Sequence, residues 1–405
     1  MIRSLCLKIA CVLLTTAMLF VTMLTLPDIS LASKLRPTSP QQHTTQTTPS
    51  FLPISAFHLR GIDGPYYTKG NRIYGSDNYP YLFHGIARDD LEYFCQGDGH
   101  YTAKDLAYMG LGNNSTNQTY WEGNVVRLPL SENFWLYGQP SDNCTSNQYQ
   151  ALVKKTVDSL TSMNLNVILN LQWTNAGGQA FGSGTQLAMP DADSITFWQQ
   201  IAMLYASYPN VLFEIFNEPH IYSWPCWVNG CQIVGDVGTN NQHYTPYAGV
   251  GMQKLVDTVR ATGATNLILV GGLDWAYNLS QLPTYHLRGN NIVYDTHPYD
   301  YYGKQPSNWE ADFGTVSSLF PLFSAESGEY DCGTSYMSQL ISYFDAHNIS
   351  WVGWAWVVTN GNPCTYPQVV SNYTGKPVPG MGQLEYQHLS GYLSLLTKQE
   401  IPEKK

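Results

Sequence analysis

The sequence predicts an α/β protein built as one (β/α)8 (TIM) barrel, on three observations. Eight short apolar runs recur between residues 54 and 398, helical patterns lie between most of them, and no linker-like break interrupts the series. Strands buried on both faces are continuous apolar runs, and eight of them alternating with helices form a closed barrel. A doubly wound open sheet is the alternative, but "FHGIARDD" after the first run lacks a GxGxxG phosphate loop.

The predicted strands are rich in Val, Ile, Leu, Phe or Trp. They lie at residues 81–86, 124–130, 165–171, 211–216, 266–272, 291–297, 321–326 and 350–356. Apolar residues spaced three and four apart predict helices at 148–163, 193–208 and 336–348, the second capped by Asp193. The segments 87–123 and 217–243, after strands one and four, are predicted to be long surface loops over one face.

The two ends of the chain differ in composition from this domain. Residues 1–32 are predicted to be a signal peptide, because Arg3 and Lys8 precede the uncharged run 9–26 and "SLAS" offers small residues for cleavage. The run also reaches the length of an uncleaved membrane anchor. Residues 33–53 are predicted to be a linker rich in Ser, Thr, Pro and Gln. Residues 54–398 are predicted to form the catalytic domain, and residues 399–405 a charged tail. The protein is therefore expected to be secreted, or held at the outer face if the anchor remains.

Charge and cysteine content agree with an exported protein. A formal net charge of -10 without a Lys/Arg cluster argues against a nucleic-acid partner, while 29 Tyr and 11 Trp suit a sugar-binding surface. Outside the export segment, six cysteines remain, an even number that predicts disulfides but allows 15 pairings. Proposed pairs are Cys95–Cys144, Cys226–Cys231 and Cys332–Cys364. A zinc site is the alternative, but the chain lacks a paired CxxC motif.

Two carboxylates follow predicted strands at the positions where barrels place reactive groups, the C-terminal strand ends. Glu218 lies past strand four and precedes Pro219, which holds it in extended geometry. Glu326 ends strand seven, across the barrel mouth. Glu214 lies deeper in strand four, where a structural hydrogen bond is expected. The alternative for Glu218 is a turn that merely ends the strand.

Four further side chains are predicted near the same strand ends. Arg127 is placed to orient a carboxylate, or to form a surface salt bridge. His297 and Tyr299 end strand six, where a histidine is also common as a core residue. Trp354 ends strand eight and would stack on a sugar ring or fill the barrel rim.

Together these segments resemble glycoside hydrolase family five, the cellulase-type family of the four/seven clan. The similarity rests on "GIARDDLEYFCQGDG", "NVVRLPLSENFW", "VLFEIFNEPH", "THPY", "PLFSAESGEYDC" and "NISWVGWAW", which follow one another in the family's order between about residue 55 and residue 398. The resemblance implies Glu218 as general acid/base and Glu326 as nucleophile of a retaining mechanism. It further implies that Asn217 binds a sugar hydroxyl, that Arg127, His297 and Tyr299 hold the nucleophile and sugar, and that Trp354 forms a platform.

The resemblance implies a secreted endo-β-glycanase acting on β-1,4-glucan, without metal or cofactor. A β-linked polysaccharide or oligosaccharide is the expected partner, and neither nucleic acid nor a protein partner is expected. A β-mannanase or mixed-linkage glucanase, a transglycosylase, and a non-catalytic carbohydrate-binding barrel are the alternatives. One departure concerns specificity: many relatives carry His at the end of strand three, where this chain has Gln172.

Overall fold

Eight parallel strands close into a barrel in the computed structural model, which describes residues 51–59, 62–115, 117–174, 186–221, 223–236, 243–362 and 366–396. The strands are β1 (His84–Ala87), β2 (Val125–Ser131), β3 (Asn166–Trp173), β4 (Val211–Glu214), β5 (Ile268–Gly271), β6 (Ile292–Asp295), β7 (Leu322–Ser324) and β8 (Ser350–Gly353). Each pairs with the next along the chain, and β8 pairs with β1. Every predicted run contributes one strand, so the (β/α)8 prediction is confirmed.

Burial on both faces explains the continuous apolar runs. In β4, Leu212 packs with the residues that fill the barrel interior, whereas Val211 and Phe213 pack against the surrounding helical layer. In β5, Leu269 faces the interior and its neighbour Ile268 the helices. Successive side chains of a strand point to opposite faces, so a strand between two apolar layers needs an apolar residue at every position.

Ten α-helices are described, several of them short. They are α1 (Ala103–Ala107), α2 (Glu132–Tyr137), α3 (Ser146–Ser162), α4 (Asp193–Tyr205), α5 (Trp224–Asn229), α6 (Met252–Ala261), α7 (Leu282–Tyr285), α8 (Pro306–Trp309), α9 (Ser335–His347) and α10 (Met381–Leu396). The three predicted helices are confirmed as α3, α4 and α9. The predicted cap of α4 is wrong, because Asp193 lies inside the first turn. Asp191 takes that role, since its Oδ1 accepts hydrogen bonds from the amides of Asp193 and Ser194.

The two long insertions contain more regular structure than the sequence predicted. The segment after β1 includes α1, and the segment after β4 includes α5 and a strand, Gly230–Asp236, paired antiparallel with His243–Val250. A second antiparallel pair, Tyr67–Lys69 with Arg72–Tyr74, precedes the barrel. These hairpins were not predicted, because their sequences lack a clear alternation of apolar and polar residues.

Two predicted disulfides are present, Cys95–Cys144 and Cys226–Cys231, with Cα–Cα distances of 6.1 and 5.2 Å. Cys332 is disulfide-bonded as well. Its predicted partner Cys364 lies outside the described residues, as do the predicted export segment, the linker up to residue 50 and the charged tail. None of the helices in the described ranges has the length and hydropathy needed to cross a bilayer.

Candidate active site

A cavity of about 550 Å³ opens at the C-terminal ends of the barrel strands, and both Glu218 and Glu326 line it. Glu218 lies four residues past the end of β4, and Glu326 two residues past β7. Both therefore project from loops that a rigid barrel supports. This is the location that the strand-end rule predicts for reactive groups.

The strand order divides the cavity into two sides. Along one direction from β4 to β7 lie β5 and β6, and along the other lie β8, β1, β2 and β3. Asp274, Trp275 and Lys304 follow β5 and β6, and we call them the β5–β6 side. Tyr93, Trp354 and Tyr366 follow β1 and β8, and we call them the β8–β1 side. Both sets line the cavity.

Glu326 is held at both carboxyl oxygens. Tyr299 donates its hydroxyl proton to Oε1 at 2.6 Å, and Arg127 Nη1 donates to Oε2 at 2.9 Å. Burial and the nearby charge of Glu218 raise the pKa of Glu326 to about 7, although the Arg127 guanidinium acts to lower it. Burial also raises the pKa of Tyr299 well above its usual range, which keeps its hydroxyl available as a donor.

Arg127 is a fully buried centre of the network. It lies in the middle of β2, not at the predicted strand end, and its side chain is fully buried. Nε and Nη2 bind the two oxygens of Glu214 at 2.7 Å each, and Nη2 also donates to Asn217 Oδ1 at 2.7 Å. The alternative of a surface salt bridge is therefore wrong. Glu214, which also accepts from Asn170 Nδ2, has the structural role predicted for it.

Glu218 is bonded by His297 and Gln186. Its Oε1 lies 3.2 Å from His297 Nδ1, and its Oε2 accepts a hydrogen bond from Gln186 Nε2. Burial alone would raise the pKa of Glu218, but the His297 hydrogen bond and charge, with Lys304 and Gln186, outweigh burial and lower it. Pro219 follows directly and excludes helical geometry at Glu218.

His297 is fully buried between two carboxylates. Its Nε2 lies 3.0 Å from Asp295 Oδ2, on the side of the ring opposite Glu218. Burial alone would lower the pKa of His297, but Asp295 and Glu218 raise it well above its usual range. Both ring nitrogens therefore carry protons in the described arrangement. The alternative of an ordinary core histidine does not describe these contacts.

The two glutamates are close together. One carboxylate oxygen of each lies within 4.8 Å of the other, and both lie within 4.8 Å of a His297 ring nitrogen. Retaining glycosidases place their two carboxyl groups about 5–5.5 Å apart, whereas inverting enzymes leave about 6.5–9.5 Å for a water molecule. An approach of the nearest oxygens to within 4.8 Å agrees better with the shorter separation than with the longer one.

Asn217 presents an unused donor beside these carboxylates. Its Oδ1 accepts from Arg127, which fixes the orientation of the amide, and within the described residues its buried Nδ2 has no hydrogen-bond partner. Trp354, 5% exposed, is held by a hydrogen bond from Nε1 to Tyr366 OH at 3.1 Å. Tyr366 in turn donates to Asp89 Oδ2 at 2.5 Å. Both side chains are thus held in one orientation at the cavity.

Gln172, the departure noted in the sequence, lines the cavity at the end of β3. Its Oε1 accepts from Arg127 Nη2 at 3.3 Å, so its amide group joins the same network. Four contributing residues were not predicted: Asp295, Gln186, Lys304 and Tyr366. Only Asp295 carried a usable signal, because it lies two residues before His297 in "YDTHPY".

Three groups of ligand-type side chains in the described residues are close enough to hold a metal ion. Two share His297, one with Glu214 and Asp295 and the other with Glu218 and Glu326. Their donor atoms already bind Arg127, Tyr299 and each other, which fits a hydrogen-bonded network better than a metal centre. The third, His58 with Asp63 and Asp77, is more exposed, and its His58 Nδ1 lies 3.0 and 3.3 Å from the two carboxylates.

Comparison with known proteins places the chain in a family. Residues 112–360 match Cellulase (glycosyl hydrolase family 5), which is more than half of the chain. The chain belongs to glycosyl hydrolase family 5. Relatives include Endoglucanase Z of Dickeya dadantii, 24% identical over 79% of this chain, and Endoglucanase N of Pectobacterium atrosepticum, 29% identical over 40% of it. The chain covers 66% and 34% of these two relatives.

Solved structures share the fold of this chain. The native beta-glucanase SdGluc5_26A from Saccharophagus degradans has a TM-score of 0.60 at 18% identity and covers 86% of this chain and 98% of its own. The catalytic domain of Thermobifida fusca endoglucanase Cel5A has a TM-score of 0.57 at 18% identity, with 81% and 98% coverage. At such identities the likeness shows the barrel fold.

Proposed function

We propose that this protein is a secreted, retaining endo-β-glycanase that hydrolyses β-1,4-glucan. The observation that carries the proposal is the pair Glu218 and Glu326, with oxygens within 4.8 Å and one member held by Arg127 and Tyr299. The endoglucanase relatives support a glucan substrate. The disulfides Cys95–Cys144 and Cys226–Cys231 support export, because such bonds persist in oxidising compartments.

In the first step, a Glu326 oxygen attacks the anomeric carbon and the glycosidic C–O bond breaks. The leaving oxygen takes a proton from Glu218, which releases one half of the chain as an alcohol. In the second step, a water molecule gives a proton to Glu218 and its oxygen displaces Glu326 from the anomeric carbon. In this proposal Asn217 Nδ2, which has no hydrogen-bond partner among the described residues, donates to a hydroxyl of the reacting sugar. Trp354, which lines the cavity, supplies the apolar surface beneath that sugar.

Glu218 needs a proton for the first step, although its pKa is lowered in the arrangement described here. His297 holds one on Nδ1, 3.2 Å from Glu218 Oε1. Transfer across this hydrogen bond makes Glu218 a neutral acid and leaves His297 neutral, with its Nε2 proton still bonded to Asp295. Glu218 and His297 therefore act together as the proton donor. Glu326 takes the ionised role, because a pKa of about 7 leaves a large ionised fraction near neutral pH and both Arg127 and Tyr299 donate hydrogen bonds to it.

Reducing-end release from a panel of soluble β-1,4-glucans, mixed-linkage glucans and mannans tests this function. The wild type is expected to act best on β-1,4-glucan, and Glu326→Gln is expected to lose on the order of 10⁴-fold in kcat. Glu329→Gln is the matched control: Glu329 accepts from the amides of Tyr336 and Met337 at the start of α9 and does not line the cavity.

Each outcome of this panel has a defined reading. Binding of glucan without turnover would support the non-catalytic barrel instead of an enzyme, and a preference for mannan or mixed-linkage glucan would replace the proposed substrate. Product chains longer than the substrate would indicate transglycosylation. NMR of the first product tests retention separately, because inversion of the anomeric carbon contradicts a covalent intermediate on Glu326.

A further inference from the structure

We propose that Asp89 and Glu92 share one proton, and that this buried pair holds Trp354 in its place at the cavity. Neither carboxyl group lines the cavity or takes part in the steps described above. Both act through Tyr366, so they are positioning residues and not catalytic ones. The consequence for turnover rests on the proposed function, in which Trp354 lies beneath the reacting sugar.

The hydrogen bonds between Trp354 and Asp89 can run in only one direction. An indole Nε1 can only donate, so Tyr366 OH accepts the bond from Trp354, which is 3.1 Å long. Tyr366 then donates its own proton to Asp89 Oδ2 at 2.5 Å. Because Oδ2 is the acceptor of this bond, any proton on the Asp89 carboxyl group lies on its other oxygen, Oδ1.

A second buried carboxyl group lies against Asp89. Asp89 is 3% exposed and Glu92 is fully buried, and their side chains are in hydrogen-bond contact. Glu92 Oε2 accepts from the Asp90 amide at 2.8 Å. Among the described residues, Asp89 Oδ1 and Glu92 Oε1 have no further partner. Two ionised carboxylates offer acceptors only, so their contact requires a proton between them.

Glu92 is the member of the pair that carries this proton. Burial and the neighbouring charge of Asp89 raise the pKa of Glu92 well above its usual range. A protonated Glu92 donates to Asp89 Oδ1, while Asp89 Oδ2 accepts from Tyr366. Every oxygen of the two carboxyl groups then has a partner, which buried polar groups require.

Other titratable groups surround the pair. Arg88 is bonded to Asp98 at 2.7 Å, and Asp90 Oδ2 accepts from the Asp98 amide at 2.9 Å. Burial raises the pKa of Asp90 to about 7, so Asp90 needs its own control. The tyrosines that face Glu92 stay neutral, because burial raises the pKa of each above its usual range; they are Tyr93, Tyr101, Tyr149 and Tyr366.

Loss of the shared proton to solvent leaves two buried anions in contact. Like charges repel strongly where water is excluded, so Asp89 moves away from Glu92 and the bond to Tyr366 is strained or lost. Trp354 then loses the group that fixes its ring. The hold on Trp354 is therefore complete at acid pH and is lost as the pH rises through the pKa of Glu92.

The indole N–H of Trp354 reports on the pair directly. The test follows its NMR signal between about pH 6 and 9 in the full chain carrying Glu326→Gln, which removes the titration of that cavity carboxyl group. Loss of the signal in Trp354→Phe assigns it. In the Glu326→Gln parent, the signal should shift with pH as Glu92 loses its proton.

Glu92→Gln replaces the shared proton with an amide. Its Oε1 can accept from the Asp90 amide while its Nε2 donates to Asp89 Oδ1, so the contact no longer depends on a titratable group. The Trp354 signal should stay at its low-pH position throughout. Glu92→Leu leaves Asp89 without a donor and should displace the signal at every pH. Asp90→Asn is the control and should keep the parental response, because Asp90 bonds the Asp98 amide and not Tyr366.

Activity of the same variants, without the Glu326 substitution, tests the consequence for turnover. At about pH 6, kcat/KM for cello-oligosaccharides should fall about tenfold in Glu92→Leu and stay within about twofold of the wild type in Glu92→Gln. Circular dichroism establishes that each variant is folded. If Glu92→Leu does not fold, the pH response of Glu92→Gln decides alone.

The outcomes separate this inference from the proposed function. A Trp354 signal that titrates in Glu92→Gln as in the parent, or that stays in place in a folded Glu92→Leu, overturns the inference and leaves the proposed function untouched. A wild type that cleaves no glycan overturns the proposed function, while the NMR response still decides whether the pair positions Trp354. A response abolished by Glu92→Gln and retained in Asp90→Asn supports the assignment.

Discussion

The two sides of the cavity are built differently. On the β8–β1 side, Trp354 is 5% exposed and is held through Tyr366 to the buried Asp89. Across the cavity, beyond the β5–β6 side, Tyr301 is 50% exposed and Tyr302 fully so. One side is fixed by successive buried hydrogen bonds, whereas the other presents aromatic side chains open to solvent. Under the proposed function, this contrast suits a site that holds the reacting sugar in one geometry and tolerates a more varied leaving group.

The largest difference between the sides is expected from removing a tryptophan from each. Trp354→Ala should lower the free energy of unfolding by about 3–5 kcal/mol, because it empties a well-packed site. Trp275→Ala should cost less, since Trp275 is only half-buried. Urea denaturation of both variants measures the difference. Equal losses would show that the two sides are equally packed and would remove the contrast.

A smaller effect is expected from single hydroxyl groups. Tyr366→Phe removes the acceptor of Trp354 Nε1 and the donor to Asp89, and should lower the free energy of unfolding by about 1–3 kcal/mol. Tyr301→Phe, at an exposed position, is the matched control and should stay within about 0.5 kcal/mol. If Tyr366→Phe matched this control, the hydrogen bonds behind Trp354 would contribute nothing measurable.

Raising the pH should loosen the β8–β1 side selectively. Burial raises the pKa of Asp90 to about 7 and that of Glu92 well above its usual range, so the folded chain binds these protons more tightly than the unfolded chain. Their contribution to stability is complete below about pH 4 and is lost as the pH rises towards 7 and above. Hydrogen-exchange protection of residues 88–98 should therefore fall between pH 5 and 8 relative to residues 268–280. Asp90→Asn should weaken this dependence, and a uniform fall would contradict its local origin.

The smallest effect is expected at the most exposed aromatic residue. Tyr302→Ala should leave the free energy of unfolding unchanged within about 0.5 kcal/mol, because the ring packs against little of the protein. The KM for long oligosaccharides should rise a few fold if the ring contacts the leaving chain, with kcat for an aryl cellobioside unchanged. A loss of stability in calorimetry would mean that the Tyr302 ring packs against the protein and contributes to its stability.

Sequence reasoning recovered the barrel because burial on both faces imposes a pattern that each strand carries locally. Glu218 and Glu326 followed from that pattern, since a strand end next to Pro219 leaves few positions for a reactive carboxylate. Asp295 and Gln186 did not follow, because what each does depends on which loop it meets across the cavity. Lys304 was not predicted for the same reason, because its side chain contacts a turn thirty residues earlier in the chain.

Arg127 has a consequence for how the protein reaches its working state. Its guanidinium bonds side chains that β3, β4 and β7 or the loops after them supply, and Arg127 itself stands on β2. The four contributions meet only when those strands stand in register around the ring. Recovery of the proposed glycan-cleaving activity after dilution from urea should therefore follow completion of the ring, so that turnover reports on assembly without an optical probe.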